Sequence, residues 1–281
     1  MRASDQHRFD DQRFDDQRIV ITSAGRDFGR SVALRFAEWG AEVHLSARRL
    51  AEAERTRREI RDRGYERVHA YACDLTDPVA IRAFAAAVAE RTERVDILVN
   101  NGSRYLDGPG LAQPGATGPG LDRTGADLAP TGTGPRSASD GDIIDTIASG
   151  ATGTVLVVKH FLPLLRRSAG PDVVTMVSAC GVPGHDRSGA HEAFYAAKSA
   201  QGGFVRILSR RLRPEGIRVI SLYPPDFANP DPFSPGWDRA PRGADDPLTA
   251  NSLVDCVRFA LGQPRDCFIS EFHFEQVAPA P

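Results

Sequence analysis

Cysteine is scarce in this 281-residue chain, with only Cys73, Cys180, Cys256 and Cys267, and no two of them form a C-x-x-C pair. That spacing argues against zinc and against a disulfide scaffold, and no metal ligand set is read from it. An excess of either charge is lacking too. The formal net charge is −2 and the pI is about 6.4, so nothing marks a nucleic-acid surface. No apolar run is read as long enough to span a membrane. The amino terminus is charged rather than signal-like, and a cytoplasmic protein is expected. Lysine and methionine are few, while Arg, Ala, Gly and Pro are abundant, a compositional hint of a GC-rich genome. The length suits one α/β domain with a substantial core.

The stretch Arg18 to Ala37 is the organising element. Ile19, Val20 and Ile21 form a β-branched run suited to a buried strand. A tight segment, Thr22 to Phe28, leads into an apolar helical face at Val32, Ala33, Leu34, Phe36 and Ala37. Strand, turn and helix together make a corner where free N–H groups face an anion. Before it, Met1 to Gln17 repeats Arg-Phe-Asp-Asp-Gln and reads as a disordered or loose tail. Further strands are expected at 42–46, 67–72, 95–99, 172–177, 216–222 and 268–274, and a short tail at 278–281. Helices are expected at 50–63, at 141–167 with Asp140 as cap, at 190–211, and from the Thr249 cap to Leu261. Another begins at Pro78, capped by Asp77. Residues 104–140 are rich in Gly, Pro, Ala and Thr and read as a flexible insertion, a lid or an inert loop.

The turn resembles the Thr-Gly-x-x-x-Gly-x-Gly motif of the short-chain dehydrogenase/reductase family. Aligned on Thr22, the first two motif glycines are Ser23 and Asp27, and only Gly29 is kept; Gly25 falls at a variable position. Asn100-Asn101-Gly102-Ser103 resembles the family's Asn-Asn-Ala-Gly. Ser178-Ala179-Cys180-Gly181 resembles its Ser-x-Ala-Gly. Phe194-Tyr195-Ala196-Ala197-Lys198 stands where the family has Tyr-x-x-x-Lys. The resemblance runs from about Arg18 to Val277 and implies one Rossmann-type, doubly wound domain with a seven-stranded parallel sheet between helix layers.

It also implies site residues. Thr22, Ser23, Gly25, Arg26, Phe28 and Gly29 would face the dinucleotide phosphates, Asp74 and Leu75 the adenine, and Asn100 the sheet beside the cofactor. Asp27 would set a carboxylate against phosphate charge, with Arg26 and Arg30 to offset it. Arg48 and Arg49 end the second strand, where arginine suits a 2′-phosphate, so NADP(H) is the expected cofactor. Ser178 matches the serine that hydrogen-bonds the substrate oxygen, and Lys198 the lysine that holds the ribose. Phe194 has no proton to give where the family has its catalytic tyrosine. Tyr195 is a candidate substitute although it points about 100° away on a helix. His185 and His191, beside Asp186 and Glu192, are further candidates. The family's relay asparagine is replaced by Gly150, and its Pro-Gly after the sixth strand by Pro224-Pro225. Phe233 and Trp237 are candidates for contacting an apolar substrate.

Three readings follow. One is an NADP(H)-dependent oxidoreductase of a small carbonyl or alcohol. Another is a non-redox cyclase, isomerase or dehydratase on the same scaffold. The third is a non-catalytic sensor or partner subunit. The expected partners are a small-molecule substrate and further copies of the chain, as a homodimer or homotetramer, with neither nucleic acid nor membrane.

Overall fold

The computed structural model describes residues 14–107 and 138–276. Its centre is an all-parallel sheet of β1 (Arg18–Ile21), β2 (Glu42–Ala47), β3 (Val68–Ala72), β4 (Ile97–Asn100), β5 (Asp172–Met176), β6 (Arg218–Tyr223) and β7 (Glu271–His273). The strand order is β3-β2-β1-β4-β5-β6-β7. After β3 the chain crosses to the other side of β1, so the winding reverses between β1 and β4. In open α/β sheets that reversal leaves a crevice at the carboxyl ends of the strands.

Side-chain alternation sends each strand into two cores. Ile19, Ile21, Val43, Leu45, Ile97, Val99, Val174 and Ile220 pack against α1 (Asp27–Glu38), α2 (Leu50–Arg61) and α7 (Ala250–Leu261). Val20, Leu98, Val173 and Val219 pack against α3 (Pro78–Ala89), α5 (Gly153–Leu165) and α6 (Glu192–Leu212). Coverage on both faces explains why the central strands read as near-continuous apolar runs.

Local differences from the sequence reading have local causes. Within the amino-terminal tail, Phe14 is 4% exposed, and its ring meets Phe36 at 5.2 Å and Trp39 at 5.6 Å. The second repeat therefore ends as an anchor on α1; residues 1–13 lie outside the described residues. The helix expected at 141–167 is three pieces. These are α4 (Asp140–Ile147), a π turn (Ala148–Thr152) and α5. By length and composition the stretch Asp140–Leu165 passes for a membrane span, contrary to the sequence reading; within it α5 packs one face on α3 and β4. Its cap is Ser139 rather than Asp140: the Ser139 hydroxyl accepts from Asp142 N–H in a reciprocal capping box. β7 is only Glu271–His273. The insertion lies outside the described residues between 108 and 137.

Candidate active site

The turn after β1 keeps a glycine-type backbone without two of its glycines. Ser23 has φ 54° and Asp27 φ 50°, left-handed values that cost an L-residue roughly 1–2 kcal/mol each. Gly29 is irreplaceable on geometry: a Cβ there would lie 2.5 Å from Ser23 O and 2.8 Å from Ala24 Cα. The Thr22 hydroxyl accepts from Asn101 N–H at 3.1 Å and Gly102 N–H at 3.2 Å, which ties the turn to the end of β4 across the crevice. The Asn100 amide is buried there, with both polar atoms unpaired among the described residues. Phe28 is buried against Phe227, ring centroids 5.7 Å apart, so its place at the turn is a packing one apart from its backbone N–H.

The departures from the family motifs come in compensating pairs. Ser23 stands where the motif has glycine, and Gly102 where it has alanine. A Cβ on Gly102 would lie 2.4 Å from Ser23 Oγ and 2.2 Å from Leu75 Cδ1. Ser103 likewise replaces a glycine and Gly150 the asparagine. A Cβ on Gly150 would lie 2.8 Å from Ser103 Oγ, a buried hydroxyl unpaired among the described residues. Each gained side chain fills room that a lost one vacated.

The charged groups at the end of β2 are arranged differently from the expected arginine trio. Arg49 donates to Glu52 at 3.0 Å, and Arg26 pairs with Asp27 at 3.6 Å. Burial raises the Glu52 carboxyl, but the Arg49 hydrogen bond and the charges of Arg49 and Arg26 outweigh it and hold the group below its ordinary value. Arg48 is exposed beside them. Glu52 was not foreseen, and it neutralises Arg49 as a phosphate ligand. Arg48 has no ion pair among the described residues, while Arg26 is shared with Asp27. Gly25 is wedged against Ala47 and Glu52, with room for no Cβ, and its carbonyl accepts from Arg55 at 3.0 Å. Asp74 uses Oδ1 to accept from Thr76 N–H and hydroxyl, closing the turn after β3.

Across the crevice, Ser178 follows β5 with φ 86° and accepts from Cys180 N–H at 3.3 Å. Lys198 lies on α6, 3% exposed. Its ammonium donates to Met176 O at 2.9 Å and to Gln201 Oε1 at 3.1 Å, and sits 5.3 Å from the Phe194 ring centroid. The Gln201 amide then donates to Thr154 Oγ1 at 2.8 Å and Gly150 O at 3.2 Å. A side chain thus joins the lysine to the helix position where the family pattern places its relay water. Gln201 went unread in the sequence. Its signal was position, since a residue three past Lys198 shares its helix face.

The Tyr195 phenol is hydrogen-bonded to the loop before α6. Its hydroxyl donates to Ser188 O and accepts from Ser188 N–H, both at 3.1 Å. Burial raises its pKa, against the Ser188 N–H and together with Cys180 and Asp186 nearby, so it is a weaker acid than an exposed tyrosine. The one-residue offset on the helix turns the phenol toward that loop. His191 is 2% exposed and serves as the cap of α6, its Nδ1 accepting from Ala193 N–H. The His185 N–H closes a turn on Val182 O. The sequence reading also passed over Tyr105, whose ring meets Phe194 edge-on at 5.0 Å. Trp237 is 1% exposed under the Arg35 guanidinium, and Phe233 lies between Arg30 and Arg63 at 4.7 and 5.1 Å. Trp237 is therefore a core residue and Phe233 an arginine platform, rather than substrate contacts.

The sequence profile of the family described as short chain dehydrogenase matches residues 17–231. A protein named ketoacyl reductase from Streptomyces coelicolor is 30% identical over 82% of this chain and 80% of its own length. Ketoacyl reductase 1 of the granaticin polyketide synthase, from Streptomyces violaceoruber, is 30% identical over 73% of this chain. The match spans 65% of that relative's length. Among solved structures, a metagenomic short-chain oxidoreductase in complex with NADP superposes with a TM-score of 0.68 at 22% identity, covering 93% of this chain and 96% of that one.

Proposed function

The chain belongs to the short-chain dehydrogenase family, and on that premise we propose that it is an NADP(H)-dependent oxidoreductase acting on the carbonyl or alcohol of a small metabolite. The observation that carries this reading is the turn, which keeps left-handed backbone at Ser23 and Asp27 where ordinary side chains resist it. Residues Thr22 to Gly29 would hold the dinucleotide phosphates, with Arg26 offsetting Asp27 and Arg48 favouring a 2′-phosphate. The bound nicotinamide would supply or accept the hydride. Ser178 would orient and polarise the substrate oxygen by a hydrogen bond. Lys198 would contribute a fixed positive charge beneath the site. Phe194 donates nothing, so we assign the proton to Tyr105, whose ring contacts it.

The test is NADPH oxidation against a panel of aldehydes, ketones and ketoacyl thioesters. Ser178→Ala and Tyr105→Phe should each lower kcat by roughly a hundredfold, and Tyr195→Phe by far less. Product formed without NADPH oxidation would favour the cyclase, isomerase or dehydratase reading, which the loss of the tyrosine supports. The exposed Ile144, Ile147 and Val155, with Ile207 on α6, support a homo-oligomer through the α4–α5 and α6 layer. Light scattering tests it, with a monomer as the contrary result.

A further inference from the structure

β2 and β3 carry a second group of chemistry-bearing side chains, away from the crevice. Glu42 and His44 alternate onto one sheet face, and His69 lies opposite His44 in the parallel register. The two imidazoles stack with centroids 4.9 Å apart. Glu42 Oε1 is 3.4 Å from His44 Nε2 and 3.2 Å from His69 Nε2. The three donor atoms lie within 4.8 Å of one another. His44 is fully buried, yet its Nε2 has no hydrogen-bond partner among the described residues. Its other nitrogen, Nδ1, is 2.9 Å from the Tyr71 hydroxyl.

We propose that Glu42, His44 and His69 form a binding site for one divalent ion of the zinc type, with its fourth position open to solvent. Two ligands each about 2.05 Å from a tetrahedral ion stand about 3.3 Å apart, which is the spacing the carboxylate oxygen already keeps from both imidazole nitrogens. Imidazole and carboxylate suit zinc and its late first-row neighbours. Tyr71 supplies the outer partner that fixes a ligating imidazole. The Tyr71 hydroxyl oxygen can accept from Nδ1–H. The Nε2 lone pair then points at the site. His69 and Glu42 are half-buried, which gives an ion an entry path. Arg91 and Glu90, at the end of α3, bear on this face with opposite charges. The cysteine argument against zinc does not touch this set, because the sheet register brings His69 beside a pair 25 and 27 positions earlier in the chain.

The test uses full-length protein without a histidine tag, stripped by chelator and titrated with zinc chloride by calorimetry. Cobalt(II) absorption serves as the tetrahedral signature. One ion per chain at micromolar affinity or better is expected, with a rise in Tm on binding. His44→Ala threatens the core, so Glu42→Gln and His69→Gln carry the test. Loss of an outer partner alone weakens metal binding roughly 10–100-fold, so each of these should weaken it by about a hundredfold or more. No saturable binding, or binding unchanged in either variant, overturns the proposal and leaves a carboxylate hydrogen-bonded to His69 and set beside His44.

Discussion

The two walls of the crevice have met sequence change in opposite ways. On the β1–β4 wall the function lies in backbone shape, and the shape persists: Ser23 and Asp27 take glycine-like dihedrals, and Gly102 makes room for Ser23. On the α4–α6 wall the family's function lies in particular side-chain atoms, and apart from Lys198 those are changed. Phe194 offers no hydroxyl, Gly150 no amide, and Gln201 bridges from Lys198 to the Gly150 carbonyl. Functions carried by main-chain geometry tolerate substitution, provided that neighbours adjust by the same volume. Functions carried by one ionisable atom leave that position with it and pass to another group.

The largest effect should come from restoring that atom. Phe194→Tyr places a phenol beside the buried Lys198 ammonium, and a positioned general acid is worth roughly 10²–10⁴ in rate. An increase in kcat of about a hundredfold is expected in NADPH oxidation. An unchanged kcat would show that the α6 wall no longer faces the reacting oxygen. Next in size is Gly29→Ala. Its methyl meets backbone that cannot yield, at an expected cost of about 3 kcal/mol in urea unfolding, and an unchanged midpoint would mean the turn is looser than described.

Smaller, and sharper for the idea of compensation, is a double-mutant cycle. Gly102→Ala should cost about 1–3 kcal/mol, and Ser23→Gly should recover about 1 kcal/mol by relieving its left-handed strain. The two together should recover more than the sum, because the Ser23 hydroxyl is one of the atoms in the way. Strict additivity would show that the pair is not coupled.

At neutral pH the smallest effect concerns Cys73. Burial, then Asp74 and Asp77, push its thiol up to about 12 from an ordinary 9.0. The unfolded chain therefore loses that proton first. The stability this group contributes is complete below pH 9.0 and is lost as pH rises toward about 12. Cys73→Ala should flatten the alkaline limb of a stability–pH profile, whatever it does to the plateau.

Much of the fold was legible because it rests on periodicity and caps. The β-branched strands, the Asp77-Pro78 start and the Thr249 cap all stand where the residues place them. Helix breaks were not legible, since the π turn at Ala148–Thr152 depends on what packs beside Gly150. In the site, Ser178 and Lys198 could be picked out by motif. Glu52 and Gln201 lie one helical step from Arg49 and Lys198 and were open to reading by spacing, whereas Tyr105 meets Phe194 from a distant part of the chain. Trp237 misled for the same reason: a tryptophan in a Pro-rich loop looks available, and here it is a core residue.

The most direct measurement is a calorimetric titration of the wild-type chain with NADPH and with NADH. Micromolar binding with NADPH strongly preferred is the predicted result, and would show that a turn with serine and aspartate in glycine conformations still holds a dinucleotide. Binding of neither, in a protein that unfolds cooperatively, would contradict the account and mean that Asp27 closes the corner to phosphate.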